Sequence, residues 1–178
     1  MRIETATIQR LRDALLQSGR RPSLVLSPAY ETLARAGLLT AEEQTALGRV
    51  DALVETLFLM MSADGTLAEA ERDAIRGAVR GLTDGALRSG TIDFMLEAYA
   101  KRLTDEGRDA RLQAIAGEIG EEPAEAEGAF TLAAAVALAD DRVADEENAF
   151  ISQLAACFGI SDARAEELLD QLEDERVD

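Results

Sequence analysis

Histidine is absent from this chain, and cysteine occurs once. The first absence removes imidazole general-base chemistry and any Ser-His-Asp arrangement. The two together remove a zinc site of His and Cys ligands. One cysteine cannot form a disulfide within the chain, which fits a reducing, cytoplasmic setting. A metal site would therefore be built from oxygen ligands, which suit calcium, magnesium or manganese. Aromatic residues make up only 4%, and the three prolines fall at 22, 28 and 123, so long stretches are left to the helix formers Ala, Leu, Glu and Arg. Long hydrophobic runs are missing too. The longest largely apolar stretch, Phe130 to Ala139, is ten residues, half of the roughly 20 that a spanning helix needs. It reads as a buried core helix, and no signal peptide is recognisable.

Basic charge is scarce and unevenly placed. The net charge is −17, yet residues 1–39 hold six Arg against three acids and sum to +3, leaving −20 on residues 40–178. A body that acidic repels phosphate backbones, so nucleic acid is not an expected partner, whereas cations and basic partners are. What remains is 178 residues, 47% apolar and 30% charged, the composition of one globular domain able to bury a core. The division expected is a basic N-terminal helical extension over 1–39 and an acidic helical domain over 40–178.

The apolar periodicity is helical throughout. Ile8, Leu11, Leu15 and Leu16 mark a basic amphipathic helix over 4–18, able to lie on an anionic membrane through residues 1–21 or to dock on the acidic body; the complementary charge favours docking. Ser27 and Pro28 open a short helix ending near Gly37. Thr40 and Glu43 form a capping-box signature before a helix of about 22 residues carrying Leu47, Val50, Val54, Leu57, Phe58 and Met61. Ile75, Val79 and Leu82 line the next helix, and Thr83 to Gly90 reads as a loop. Thr91 is the expected cap of a helix closing near Gly107. A helix over 109–119 ends at Gly120, and Pro123 opens another that runs through Phe130, Leu132 and Leu138. Phe150, Ile151, Leu154 and Cys157 share a stripe ending at Gly159, with Cys157 read as a small buried hydrophobe. Ser161 caps a last helix containing Leu168, Leu169 and Leu172. No segment reads as a strand, so the fold class is all-α with about eight helices.

One acidic stretch occurs twice. Asp64-Gly65-Thr66-Leu67 leads to Glu71, and Asp140-Asp141-Arg142-Val143 leads to Glu147, each acid 76 residues after its counterpart. Core positions keep the same offset, Ile75 with Ile151 and Leu82 with Phe158. A helix–acidic turn–helix unit used twice, its halves related by an approximate two-fold axis, is the expectation. Asp-Gly-x-apolar-x-x-x-Glu equals the back half of a twelve-residue EF-hand loop. Gly65 permits the chain reversal that brings the carboxylates of Asp64 and Glu71 towards each other, with the carbonyl of Thr66 joining them. The front half is missing, because Met60 and Ser62, or Val136 and Leu138, stand at its ligand positions. A full EF-hand is excluded.

The stretches Met61 to Arg72 and Ala137 to Asn148, with the closing Leu154 to Ser161, resemble the tellurite-resistance TerB family over about residues 40–178. The resemblance implies a helical domain with an acidic face, associated with stress and tellurite-resistance systems and proposed to bind a divalent metal. The ligands it implies are Asp64 and Glu71, then Asp140 and Glu147; from the loop spacing, the carbonyl of Thr66 and, at the equivalent position, that of Arg142 are the further candidate donors. Asp141 replaces the expected glycine, and Ala68 and Ala144 stand where a capping side chain is usual. The Asp64-Gly65 turn is therefore expected to be the better formed site.

Each acid also has a purely structural reading. Glu71 and Glu147 lie at the third helical position, where a glutamate stabilises a helix by roughly 0.3–1 kcal/mol. Asp64 and Asp140 can be turn-formers, and Glu69, Asp145 and Glu146 a solvated face. The functional expectation is a non-enzymatic adaptor that recruits a protein partner, with calcium, magnesium or manganese at the turns. Two alternatives stand beside it, a membrane-surface adaptor and a metal-assisted hydrolase.

Overall fold

The computed structural model describes residues 8–10, 12–13, 28–65, 67–119, 122–138 and 145–177. Eight helices succeed one another: α1 (Pro28–Arg35), α2 (Ala41–Met61), α3 (Glu69–Leu82), α4 (Ser89–Glu106), α5 (Arg108–Ile119), α6 (Pro123–Ala137), α7 (Asp145–Cys157) and α8 (Asp162–Val177). Residues 8–10 and 12–13 are helical as well, and no strand occurs among the described residues. The all-α reading holds.

The molecule is assembled around α2. Its start is fixed by the expected capping box: the Glu43 N–H donates to Thr40 Oγ1 and the Thr40 N–H to Glu43 Oε2, both at 3.1 Å. From Val50 to Ser62 every residue is buried, because α2 packs against α1, α3, α4, α5, α6 and α7. An apolar stripe satisfies one neighbour, whereas a helix enclosed on most sides must be apolar nearly all round. Its most extensive contact is with α6, whose Ala126, Ala129, Ala133 and Ala137 are buried and small enough to let neighbouring helices approach closely. α8 packs on α6 through a face that buries Leu168 and Leu172.

The helix bounds on either side of the two acidic turns keep the offset read from the sequence. α2 ends at Met61 and α6 at Ala137; α3 begins at Glu69 and α7 at Asp145. Ser161 caps α8 as expected, its Oγ accepting from the Arg164 N–H at 3.3 Å. Cys157 is half-buried and packs against the core.

One expected boundary is corrected. α4 begins at Ser89 with Arg88 as its cap, and neither Arg88 nor Thr91 caps it through a side chain. Thr91 lies inside the first turn and is buried, its hydroxyl donating to Glu43 Oε1 at 3.0 Å. A buried carboxylate on α2 claimed the hydroxyl that the sequence pattern assigned to a cap.

Within the described residues 8–10 and 12–13, Ile8 and Arg12 meet the body. Ile8 is buried against Gly81 of α3, where a Cβ would stand 2.6 Å from Ile8 Cγ2; only glycine admits that approach. Arg12 lies 3.9 Å from Asp84. Leu11, Leu15 and Leu16 lie outside the described residues.

Candidate functional site

The first acidic turn is built from the end of α2. Ser62 closes the helix, its hydroxyl donating to the Phe58 carbonyl at 2.7 Å. The Gly65 N–H then donates to the Ser62 carbonyl at 3.0 Å, with Gly65 at φ +103°, a conformation that favours glycine as expected. Asp64 is exposed at the apex. Ala68 caps α3 without a side-chain acceptor. In its place Glu71 reaches back, its Oε2 accepting from the Ala68 N–H at 2.6 Å. Glu71 thus performs the structural task anticipated for a third-position glutamate. Glu69, expected as part of a solvated face, joins Asp73 and Asp93 around Arg76 at 2.9, 2.6 and 2.7 Å.

A cation already stands at this turn. Arg108, the first residue of α5, donates through Nη2 to the Ser62 carbonyl at 2.7 Å and through Nη1 to the Ala63 carbonyl at 3.2 Å. These carbonyls lie at the negative end of α2, where helices leave acceptors unsatisfied and favour positive charge. The same guanidinium lies 5.6 Å from the centroid of the Phe150 ring on α7.

Of the second turn, Asp140 and Arg142 lie outside the described residues, as does Thr66 of the first. Glu147 is half-buried in the first turn of α7. Among the described residues no group of three or more acidic or cysteine side chains is arranged to hold a metal ion. The donors that are described, Asp64 and Glu71, fit a hard cation in kind but are few, and two carbonyls beside them are engaged by Arg108.

The acids that shape the interior lie elsewhere. Glu43, Asp51 and Glu55 are buried on α2, and partners from α4 and the start of α5 meet them in ascending order. Glu43 accepts from Arg88 at 2.8 Å. Asp51 accepts from the Tyr99 hydroxyl. Glu55 takes Arg111 in a two-pronged pair at 2.8 and 2.9 Å, and Arg102 at 3.1 Å. Since 43, 51 and 55 pair with 88, 99 and 102, α2 and α4 run in the same direction along a polar seam. The Arg88 guanidinium, with help from Thr40 and Thr91, lowers the Glu43 carboxyl to about 2 against desolvation. Burial dominates at Asp51 and raises its carboxyl to about 6, with Glu55 and Glu118 adding to the rise and Tyr99 and Arg102 opposing it. The buried Tyr99 hydroxyl is pushed up in turn, by desolvation first and then by Asp51. These groups are spent on one another across the packed helices.

Sequence reasoning missed this seam and Arg108. A signal was present: Glu43, Asp51 and Glu55 fall at helical spacing within the apolar pattern of α2, and an acid in such a pattern requires a buried partner. Nothing local, however, identifies which of the twelve basic residues of the body answers it.

No helix among the described residues is long and apolar enough to cross a membrane. Neither the curated proteins nor the solved structures yield a match. The family model described as tellurite resistance protein TerB matches residues 50–170, from the buried half of α2 through both acidic turns into α8. With more than half of its length matched and an all-helical fold around the paired turns, the chain belongs to the TerB family.

Proposed function

We propose that this protein is a non-enzymatic binding module of the TerB type, whose duplicated acidic turns engage cations and whose acidic face recruits a protein partner in a cytoplasmic stress response. The observation that carries this reading is Asp64, exposed at the apex of a turn that the family match includes, with Glu71 held at the start of the following helix. An approximate two-fold relation of the halves belongs to the proposal, supported by the shared 76-residue offset of helix bounds around the turns. Calcium, magnesium or manganese at the turns follows from the oxygen-only donor set. Burial of Ile8 against Gly81 supports docking of the N-terminal helix on the body over a membrane role. The mutual pairing of the buried charges supports a non-catalytic reading.

The test is calorimetric titration of each divalent cation into the wild type and the Asp64→Asn, Glu71→Gln double variant. Binding heat in the wild type that is lost in the variant is expected. Equal heats in both, or none in the wild type at millimolar cation, would remove the metal from the proposal.

A further inference from the structure

We infer that Arg108 is the resident cation of the first acidic turn, a positioning residue that steadies the turn without metal and sets how weakly a divalent ion can enter it. The second half of this inference rests on the cation-binding reading of the turns; the first half does not.

The geometry is specific. Gly107, at φ +86°, separates α4 from α5 by a single residue and so delivers Arg108 to the end of α2, 45 residues earlier in sequence. Its fork meets two carbonyls at once, which a guanidinium can do and an ammonium does less well. Its face covers Phe150, three residues beyond Glu147 on α7, in the range of a cation–π contact. A second tie runs parallel to it: Gln153 Nε2 of α7 donates to Asp109 Oδ1 of α5 at 2.8 Å. One side chain therefore touches the helix end that leads to Asp64 and the helix that carries Glu147. A guanidinium thus joins the end of α2 to α7.

Two consequences follow for a divalent ion. The Ser62 and Ala63 carbonyls, the nearest backbone donors before Asp64, are occupied by N–H groups. An incoming ion also meets a fixed positive charge, whose Coulomb repulsion disfavours it.

The experiment compares the wild type with Arg108→Gln and Arg108→Lys. Calcium and manganese titrations are paired with amide hydrogen exchange in chelator. Arg108→Gln is expected to bind divalent cation more tightly, whereas Arg108→Lys, which keeps the charge, stays near wild type. In chelator, exchange is expected to quicken in both 62–71 and 145–153 of Arg108→Gln, with Arg108→Lys intermediate. Unchanged affinity in Arg108→Gln, where the wild type binds, overturns the competition. Unchanged exchange at 62–71 overturns the resident-cation assignment, and quickening there without any at 145–153 overturns the link to α7. If neither protein binds a divalent ion, the metal reading of the turns fails and the competition falls with it; the exchange result alone then decides whether Arg108 is the resident cation.

Discussion

Acids occupy two contrasting places along and just beyond α2. Inside it, Glu43, Asp51 and Glu55 are buried and each is matched by a named donor from α4 or α5. Beyond its end, Asp64 is exposed and Glu71 is half-buried at the next helix start. The same chemical group is thus a fixture of the fold in one place and a surface charge in the other. Water makes the difference: a buried carboxylate left without its partner bears the full cost of desolvation, whereas an exposed one is screened. Residues that look alike in the sequence therefore differ greatly in what their removal does.

The contrast is broken most directly at Glu55. Replacing it with alanine removes the carboxylate shared by Arg102 and Arg111, both largely buried, and leaves Arg111 only Glu106 at 2.9 Å. A loss of about 3–5 kcal/mol is expected. Denaturant melting at neutral pH measures it, and a loss under 1 kcal/mol would place the seam on a par with surface pairs.

Asp51 sharpens the contrast through its sign. Its carboxyl lies at about 6 in the fold against an ordinary 3.8, so the folded state binds this proton more tightly than the unfolded chain does. Its favourable contribution is complete below about pH 4 and is lost as pH rises through about 6. Asp51→Asn, which keeps an acceptor for the Tyr99 hydroxyl, is expected to be more stable than the wild type at pH 8 by about 2–3 kcal/mol. The two proteins should converge near pH 4. Denaturant melts across that range test it, and a constant difference would show that Asp51 does not titrate there.

Glu43 runs the opposite way. Its carboxyl is lowered to about 2 from 4.5, so its contribution is present above about pH 4.5 and lost as pH falls through about 2. Glu43→Gln should cost about 1–2 kcal/mol at pH 7, as expected for a charge-assisted hydrogen bond, with the deficit shrinking in acid. A deficit that does not change between pH 7 and pH 3 would detach it from the ionised carboxylate.

The smallest effects belong to the turn. In chelator, Glu71→Gln should cost about 0.5–1 kcal/mol through the Ala68 N–H and the dipole of α3, and Asp64→Asn less than about 0.5 kcal/mol, as for most surface substitutions. Thermal melts resolve these from the seam variants, since about 1 kcal/mol shifts the midpoint by roughly 2–4 °C in a chain of this size. A large loss at Asp64 would erase the distinction between the two regions.

What could be read in advance follows the range of the interactions involved. The start of α2 was legible because Thr40 and Glu43 are three residues apart and signal to each other. The turn at Gly65 was legible because glycine at that point answers a local backbone need. The start of α4 was misplaced because Thr91 answers to Glu43, 48 residues away, and no local pattern records that. Arg108 escaped notice for the same reason, since its partners lie 45 and 46 residues before it.

The sequence by itself determined the all-helical class, the helix order and most boundaries, the duplicated turn with its 76-residue offset and the family. Those properties rest on periodicity, caps and glycine geometry, which act over a turn or two of chain. Only the tertiary structure decided that α2 is the enclosed central helix, that its acids are bound by α4 and α5, and that Arg108 stands at the first turn. Pairing a buried charge depends on which helices lie side by side, and desolvation, acting through space, selects the partner.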